Sequence, residues 1–183
     1  MKSLKLSLAL FLAVSMAFTS CDKDDSAPKK NTVKLGAQEN TTIGGFYSFS
    51  EKKVYTMELA SENQAKIDLL CFYEEGNDIA LASPGSNIKG IFTGDFSVEL
   101  WETKNTTRFC LSALTVAEFD AIKDGDATIE TQFNTEQNYR KARSLKVGDI
   151  YAFQTHDARF GLLKVTAVTQ GATGTLEFEY KIK

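Results

Sequence analysis

The clearest hydrophobic pattern lies near the C-terminal end of the chain. From 176 to 182, apolar side chains alternate with charged ones. A period of two indicates a β-strand with one buried and one wet face. Two further apolar segments, 150–155 and 160–168, precede this strand, and short polar or glycine-containing turns separate all three. Three strands joined by short turns predict an antiparallel meander.

A second strong pattern lies in the first half of the chain. The segment 67–73 is apolar except for Asp68. A continuous apolar segment of this length predicts a central strand that is buried on both faces. Shorter apolar segments predict further strands at 46–49, 79–82, 96–103 and 107–111.

Two helices are predicted. Thr115 and Glu118 have the spacing of a capping box, in which each side chain bonds the other residue's backbone N–H. Gly125 supplies a stop for this helix. The segment 56–66 has only partial helical spacing and predicts a second helix. Together these elements predict an α+β fold, mainly an antiparallel sheet or a small barrel, with a C-terminal three-strand meander and about two short helices.

The N-terminal segment has the pattern of a secretory signal. Lys2 and Lys5 precede an apolar stretch at 6–18, and small residues lead to Cys21. The apolar stretch is shorter than the roughly 20 residues that a membrane-spanning helix needs. We therefore expect the chain to be exported and cleaved before Cys21.

Cys21 and the acidic residues after it resemble the processing site of lipoproteins from Bacteroidetes-type bacteria, although the residues just before the cysteine are looser than the common lipobox. The resemblance implies a lipid anchor on Cys21. Lys23, Asp24 and Asp25 resemble the signal that sends such lipoproteins to the outer leaflet of the outer membrane, which implies display on the cell surface. The alternative is a solvated, charged tether that carries no sorting signal.

Two further resemblances are weaker. Asp25, Ser26 and Ala27 resemble a short O-glycosylation motif of the same bacteria, and the alternative is a plain linker. The segment 148–165 resembles uncharacterised lipoproteins of gut Bacteroidetes. That resemblance implies a location in the cell envelope and a type of fold, and it implies no activity.

Composition limits the remaining interpretations. The signal peptide at 1–20 and a flexible acidic tether at 21–31 leave one α+β domain at 32–183. Loss of Lys2 and Lys5 with the signal takes the formal charge from −3 to −5. A mildly acidic chain without a basic segment is a poor candidate for nucleic-acid binding.

The cysteines and oxygen ligands leave alternatives open. An oxidising envelope permits a disulfide between Cys71 and Cys110, but buried free cysteines are equally compatible with their apolar surroundings. A zinc site lacks the usual paired ligand spacing, and we expect no cofactor or metal. Oxygen ligands at alternate positions within 124–130 could bind calcium, and a helix end followed by an edge strand explains them as well.

Catalytic signals are weak. His156, the only histidine, falls in a predicted turn, and no Gly-x-Ser-x-Gly motif is present. Acidic residues in the loops 74–78 and 120–126 could form a carboxylate pair, but acids in loops are usually solvated. We therefore do not expect an enzyme.

Aromatic residues suggest binding instead. Trp101 lies on the polar side of a predicted strand, where it could stack against a ligand or cap a second small core. Tyr47, Tyr55 and Tyr139 could add aromatic surface. The sequence therefore favours a lipid-anchored binding or accessory module with a glycan or protein ligand. The alternatives are an anchored carboxylate-pair glycoside hydrolase and a purely structural envelope component.

Overall fold

The computed structural model describes residues 30–183 and contains two five-stranded antiparallel sheets with a few short helices. The α+β class predicted from the sequence is confirmed. Neither sheet closes into a barrel within this part of the chain. Cys21, the motif at 23–25 and Ser26 lie outside the described residues.

The first sheet contains the predicted C-terminal meander. Its strands are β1 (Asn31–Gly36), β6 (Arg108–Leu111), β8 (Ile150–Gln154), β9 (Phe160–Thr169) and β10 (Thr175–Ile182). Their spatial order is β1-β10-β9-β8-β6. The meander is therefore confirmed, and it is extended by one strand on each side.

The second sheet is built around the predicted central strand. Its strands are β2 (Phe46–Ser48), β3 (Lys53–Tyr55), β4 (Leu69–Glu74), β5 (Asp78–Ala82) and β7 (Lys141–Ala142), in the order β3-β2-β4-β5-β7. Side chains of β4 alternate between two separate cores. Leu69 and Cys71 join one core, and Leu70 and Phe72 join the other. All four are fully buried, which confirms that β4 is covered on both faces.

The largest core cluster contains residues from both sheets. Phe49 and Phe153 stack within it, with ring centroids 4.6 Å apart and planes 11° from parallel. The hydroxyls of Tyr47 and Tyr180 lie 3.0 Å apart, so each buried phenol has a polar partner. The two sheets therefore pack face to face through an aromatic core.

Short helices cover the outer faces of the sheets. They are α1 (Met57–Glu62), α2 (Val116–Ala121) and α3 (Thr128–Thr131). Ala60 of α1 joins the outer core of the second sheet. Phe119 of α2 and Ile129 of α3 join the outer core of the first sheet. The predicted capping box of Thr115 and Glu118 is present in both directions.

One strand prediction is wrong. The segment 96–103 contains a 3₁₀ turn at Val98–Leu100 rather than a strand. Ser97 begins this turn by accepting a hydrogen bond from the backbone N–H of Glu99. Val98 and Trp101 are both buried in the outer core of the second sheet. A three-residue separation on a turn brings them to the same side, which an alternating strand would not do.

The glycine at 161 has a packing role. Gly161 lies in β9 opposite Phe153, and a Cβ atom there would overlap the Phe153 ring and approach the Lys181 carbonyl oxygen at 2.8 Å. Phe153 is fully buried in the aromatic core, so it has little room to move.

We predict that Gly161→Ala lowers the free energy of unfolding by about 1–3 kcal/mol, the usual cost of overpacking a core. Urea denaturation measures this difference. Since Leu lacks the outer ring atoms of Phe, Gly161→Ala should cost less in a Phe153→Leu background. An equal cost in both backgrounds would show that the Phe153 ring is not the obstacle.

Candidate functional site

An open groove of about 600 Å³ lies where β6 of the first sheet meets β7 of the second. Its volume is in the range usual for small-ligand sites. It is lined by Ser86, Asn87, Phe109, Leu111, Tyr139, Arg140, Lys141, Ala142, Arg143 and Tyr151. We call this feature the β6–β7 groove.

The groove is held in place by backbone pairing. The N–H of Phe109 donates to the carbonyl of Tyr139 at 2.7 Å, and the N–H of Tyr139 donates back to Phe109 at 2.8 Å. This reciprocal bridge joins the edge strand of one sheet to the segment that leads into β7 of the other. Phe109 and Ala142 are buried in the core between the sheets and connect the groove to that core.

Apolar and aromatic side chains remain exposed along the groove. Tyr139 is 69% exposed and Leu111 is 67% exposed. Tyr151 is half-buried opposite Leu111, and its burial raises the pKa of its hydroxyl, as does the nearby Asp149 charge. The groove therefore offers the combination of open apolar surface and hydroxyl groups that is common in ligand sites.

Charged side chains in the groove are all basic. Arg140, Lys141 and Arg143 line it, and no acidic residue does. The Nη1 atom of Arg140 donates to the carbonyl of Gly85 at 2.8 Å, while the Lys141 ammonium lies 5.5 Å from the centre of the Phe72 ring. Both contacts orient a cation without neutralising it.

Polar groups from the loop after β5 complete the lining. Asn87 is exposed and has a φ of 56°, a left-handed conformation that asparagine tolerates better than most residues. Ser86 is held by its hydroxyl, which donates to the Ser83 carbonyl at 2.5 Å. The Asn87 amide can therefore donate and accept hydrogen bonds at the groove from a constrained turn.

Trp101 lies elsewhere and is only 4% exposed. Its ring packs 5.5 Å from that of Phe46, and its Nε1–H donates to the Phe96 carbonyl at 3.0 Å. A stacking platform needs an open face, and this indole has none. The arrangement corresponds to the alternative interpretation, in which Trp101 caps a second core.

The two cysteines are free and buried, which corresponds to the second of the two interpretations that the sequence left open. Cys71 lies in the core between the sheets, whereas Cys110 lies in the core under α2 and α3. The first sheet therefore separates the two side chains, with Cys71 of β4 facing its inner side and Cys110 of β6 on its outer side. Burial raises the pKa of both thiols, so neither is readily ionised.

His156 contacts Asp68, the one charged residue of the apolar segment 67–73. The Nδ1 atom of His156 lies 3.5 Å from Oδ1 of Asp68, whose other oxygen accepts a 2.7 Å hydrogen bond from the N–H of Phe49. Asp68 is almost completely buried, and burial raises its pKa despite that bond and the nearby Arg159 charge. Within residues 30–183, His156 makes no hydrogen bond to a hydroxyl or thiol.

The acidic loop at 124–130 is used for structure. Asp124 accepts hydrogen bonds from the Asn31 side chain and the Ile182 N–H, and Asp126 accepts one from the Thr128 N–H at the start of α3. Glu130 pairs with Lys183. No cluster of three or more potential metal-binding side chains is found within residues 30–183.

Two other acids share one lysine. Asp120 and Glu179 both contact Lys164, at 2.5 and 3.1 Å. Lys164 holds the pKa of Asp120 below its ordinary value, and Lys30 and Lys164 together do so for Glu179, despite its partial burial. A general acid needs a raised pKa, so this pair does not have the electrostatics of a glycosidase site.

Comparison with known proteins supports the fold alone. No family model and no curated protein matches the chain. The chain is similar to the crystal structure of a DUF4466 family protein from Parabacteroides merdae, with a TM-score of 0.55 and 17% sequence identity. The match covers 83% of this chain and 53% of that protein, so the chain spans about half its length. No helix within residues 30–183 is long and apolar enough to cross a membrane.

We predict that Asp68 makes stability depend on pH. A carboxyl whose pKa is higher in the folded than in the unfolded state contributes stability that is present at low pH and lost as pH rises through the folded pKa. Wild type should therefore gain stability relative to Asp68→Asn as pH falls from 7 to 4. Denaturant unfolding across that range measures the difference. Parallel stability profiles for the two proteins would contradict the prediction.

Proposed function

We propose that this protein is a non-enzymatic, lipid-anchored carbohydrate-binding module of the bacterial outer membrane, and that the β6–β7 groove is its ligand site. The observation that carries the proposal is the exposed Tyr139 ring in a groove that is also lined by hydrogen-bonding side chains. Aromatic rings pack against the apolar faces of sugars, while guanidinium and amide groups bond to their polar substituents.

The groove favours binding over hydrolysis. A glycoside hydrolase needs two carboxyl groups on either side of the scissile bond. The groove has no carboxylate in its lining. The acids that the sequence offered as candidates at 120–126 instead bond backbone N–H groups or form an ion pair.

The fold also suits presentation from a membrane anchor. The proposed tether at 21–31 leads into β1, which is one edge of the first sheet, and β6 is the opposite edge. Neighbouring strands are about 4.8 Å apart, so four intervals separate the two edges by roughly 19 Å. A lipid on Cys21 would therefore attach the domain at the edge away from the groove.

We predict that Tyr139→Ala weakens carbohydrate binding by roughly 5- to 30-fold, which corresponds to about 1–2 kcal/mol for an exposed aromatic contact residue. A panel of host, plant and bacterial polysaccharides, followed by calorimetry on the best binder, measures the effect. Leu100→Ala is the control, because Leu100 is 66% exposed and lies outside the groove. Equal affinity in wild type and Tyr139→Ala would contradict the assignment of the site.

The anchor is tested separately. We predict that Cys21→Ser abolishes incorporation of a labelled fatty acid and moves the protein from the membrane to the soluble fraction. Replacing Lys23, Asp24 and Asp25 together with Ala should preserve lipidation but remove protease sensitivity on intact cells. Labelling of Cys21→Ser at the wild-type level would show that the lipid is attached elsewhere.

A further inference from the structure

We infer that the β6–β7 groove selects anionic carbohydrates, whose sugars carry carboxylate or sulfate groups. This inference rests on the proposed function and defines its ligand class. The whole chain has more acidic than basic residues, 24 against 21, yet the charged residues of the groove are Arg140, Lys141 and Arg143. A local positive charge on an acidic protein attracts anions to that place and disfavours binding elsewhere.

These cations have no carboxylate partner within the described part of the chain. The ion pairs of residues 30–183 involve other basic residues, namely Lys30, Lys34, Lys66, His156, Arg159, Lys164 and Lys183. Arg140 and Arg143 are exposed, and Lys141 is half-buried. Arg140 uses one of its five N–H donors for the Gly85 carbonyl, which leaves the positive charge of its guanidinium available to an anion.

One short segment supplies both kinds of contact. Tyr139 is followed directly by Arg140 and Lys141, and Arg143 comes two residues later. The segment is fixed by the bridge to Phe109 and by the pairing of β7 with β5. Only Lys141 of these four residues lies in a strand, but the bridge and the strand pairing restrain the backbone on both sides of Arg140, so less order must be imposed on it when a ligand binds.

Guanidinium groups suit the proposed ligand chemistry. Their planar donors match the paired oxygens of carboxylate and sulfate, and such charge-assisted bonds are about twice as strong as neutral ones. The neighbouring Tyr139 ring provides the surface on which the sugar that carries the anion would lie. The anion and the sugar face would thus be recognised by adjacent side chains.

The backbone favours a sugar over an acidic peptide. Peptides commonly bind by adding a strand to an open sheet edge. At Phe109, the outer edge of β6 is already paired with Tyr139. With β6 only four residues long, this bridge leaves little edge for a further strand.

The test compares charged polymers with neutral forms of the same polymers. Dextran sulfate is measured by calorimetry beside dextran, and polygalacturonate and alginate beside their carboxyl-reduced forms, using the mature chain with Cys21→Ser. We expect at least one charged polymer to bind at least tenfold more tightly than its neutral form. Its affinity should fall as salt rises from 50 to 300 mM. The sulfated and carboxylated polymers distinguish the two anions.

The matched variants carry the same change in net charge. Arg140→Gln with Arg143→Gln should weaken binding of the charged polymer at least tenfold, whereas Lys52→Gln with Lys123→Gln, both outside the groove, should leave it unchanged. Circular dichroism and the unfolding midpoint establish that each variant is folded.

Three results would overturn the inference. Equal affinity for charged and neutral forms would remove the selectivity but leave the carbohydrate-binding proposal intact. An equal loss of affinity for the charged polymer in both double variants would show that the attraction of the polymer is not located in the groove. Tight binding of polyglutamate that is lost in Arg140→Gln/Arg143→Gln but kept in Tyr139→Ala would identify an acidic peptide as the ligand. Absence of binding to every polysaccharide, charged or neutral, would instead reject the proposed function itself.

Discussion

Burial of β4 on both faces is the constraint on which the rest of the structure depends. Leu69 and Cys71 pack between the sheets, and Leu70 and Phe72 pack under α1 and the loop that carries Trp101. A strand with two apolar faces needs a cover on each side, because its apolar side chains stabilise the fold only when they are buried. The size of this effect is shown by truncation of one buried aromatic residue to alanine, which costs about 3–5 kcal/mol. The first sheet supplies one cover, and the turn at 98–100 helps to supply the other.

That layered arrangement also determines where the β6–β7 groove lies. The inner faces of both sheets are filled, and short helices cover much of the outer faces. Two of the exposed large apolar side chains, Leu111 and Tyr139, lie together where the edge strands of the two sheets meet. Their apolar surface and the unpaired cations nearby therefore occupy a place set by sheet topology.

The sequence predicts the fold better than the site, for physical reasons. The alternation at 176–182, the apolar segment before Glu74 and the capping box at Thr115 are local signals, and the structure confirms them. By contrast, β7 has only two residues, and its pairing depends on distant β5. No local pattern shows that Tyr139 is open to solvent while Trp101 is covered. Exposure depends on contacts between segments far apart in the chain. Arg140, Lys141 and Arg143 stand close together in the sequence, but three basic residues in a mildly acidic chain are too weak a signal to mark a site.

The strand order would have a mechanical consequence if the protein is held by a lipid at its N-terminal end, as proposed. If a polymer bound at the groove is pulled away from the cell, tension must pass from β6 across the first sheet to β1 before it reaches the lipid. The junction nearest the proposed anchor would be the antiparallel pairing of Asn31–Gly36 with Thr175–Tyr180, which is six register pairs long. Buried Val33 and Leu35 reinforce it from the core. Under the proposed anchoring, the first strand would therefore be the mechanical link between the folded domain and its anchor as well as a sheet edge.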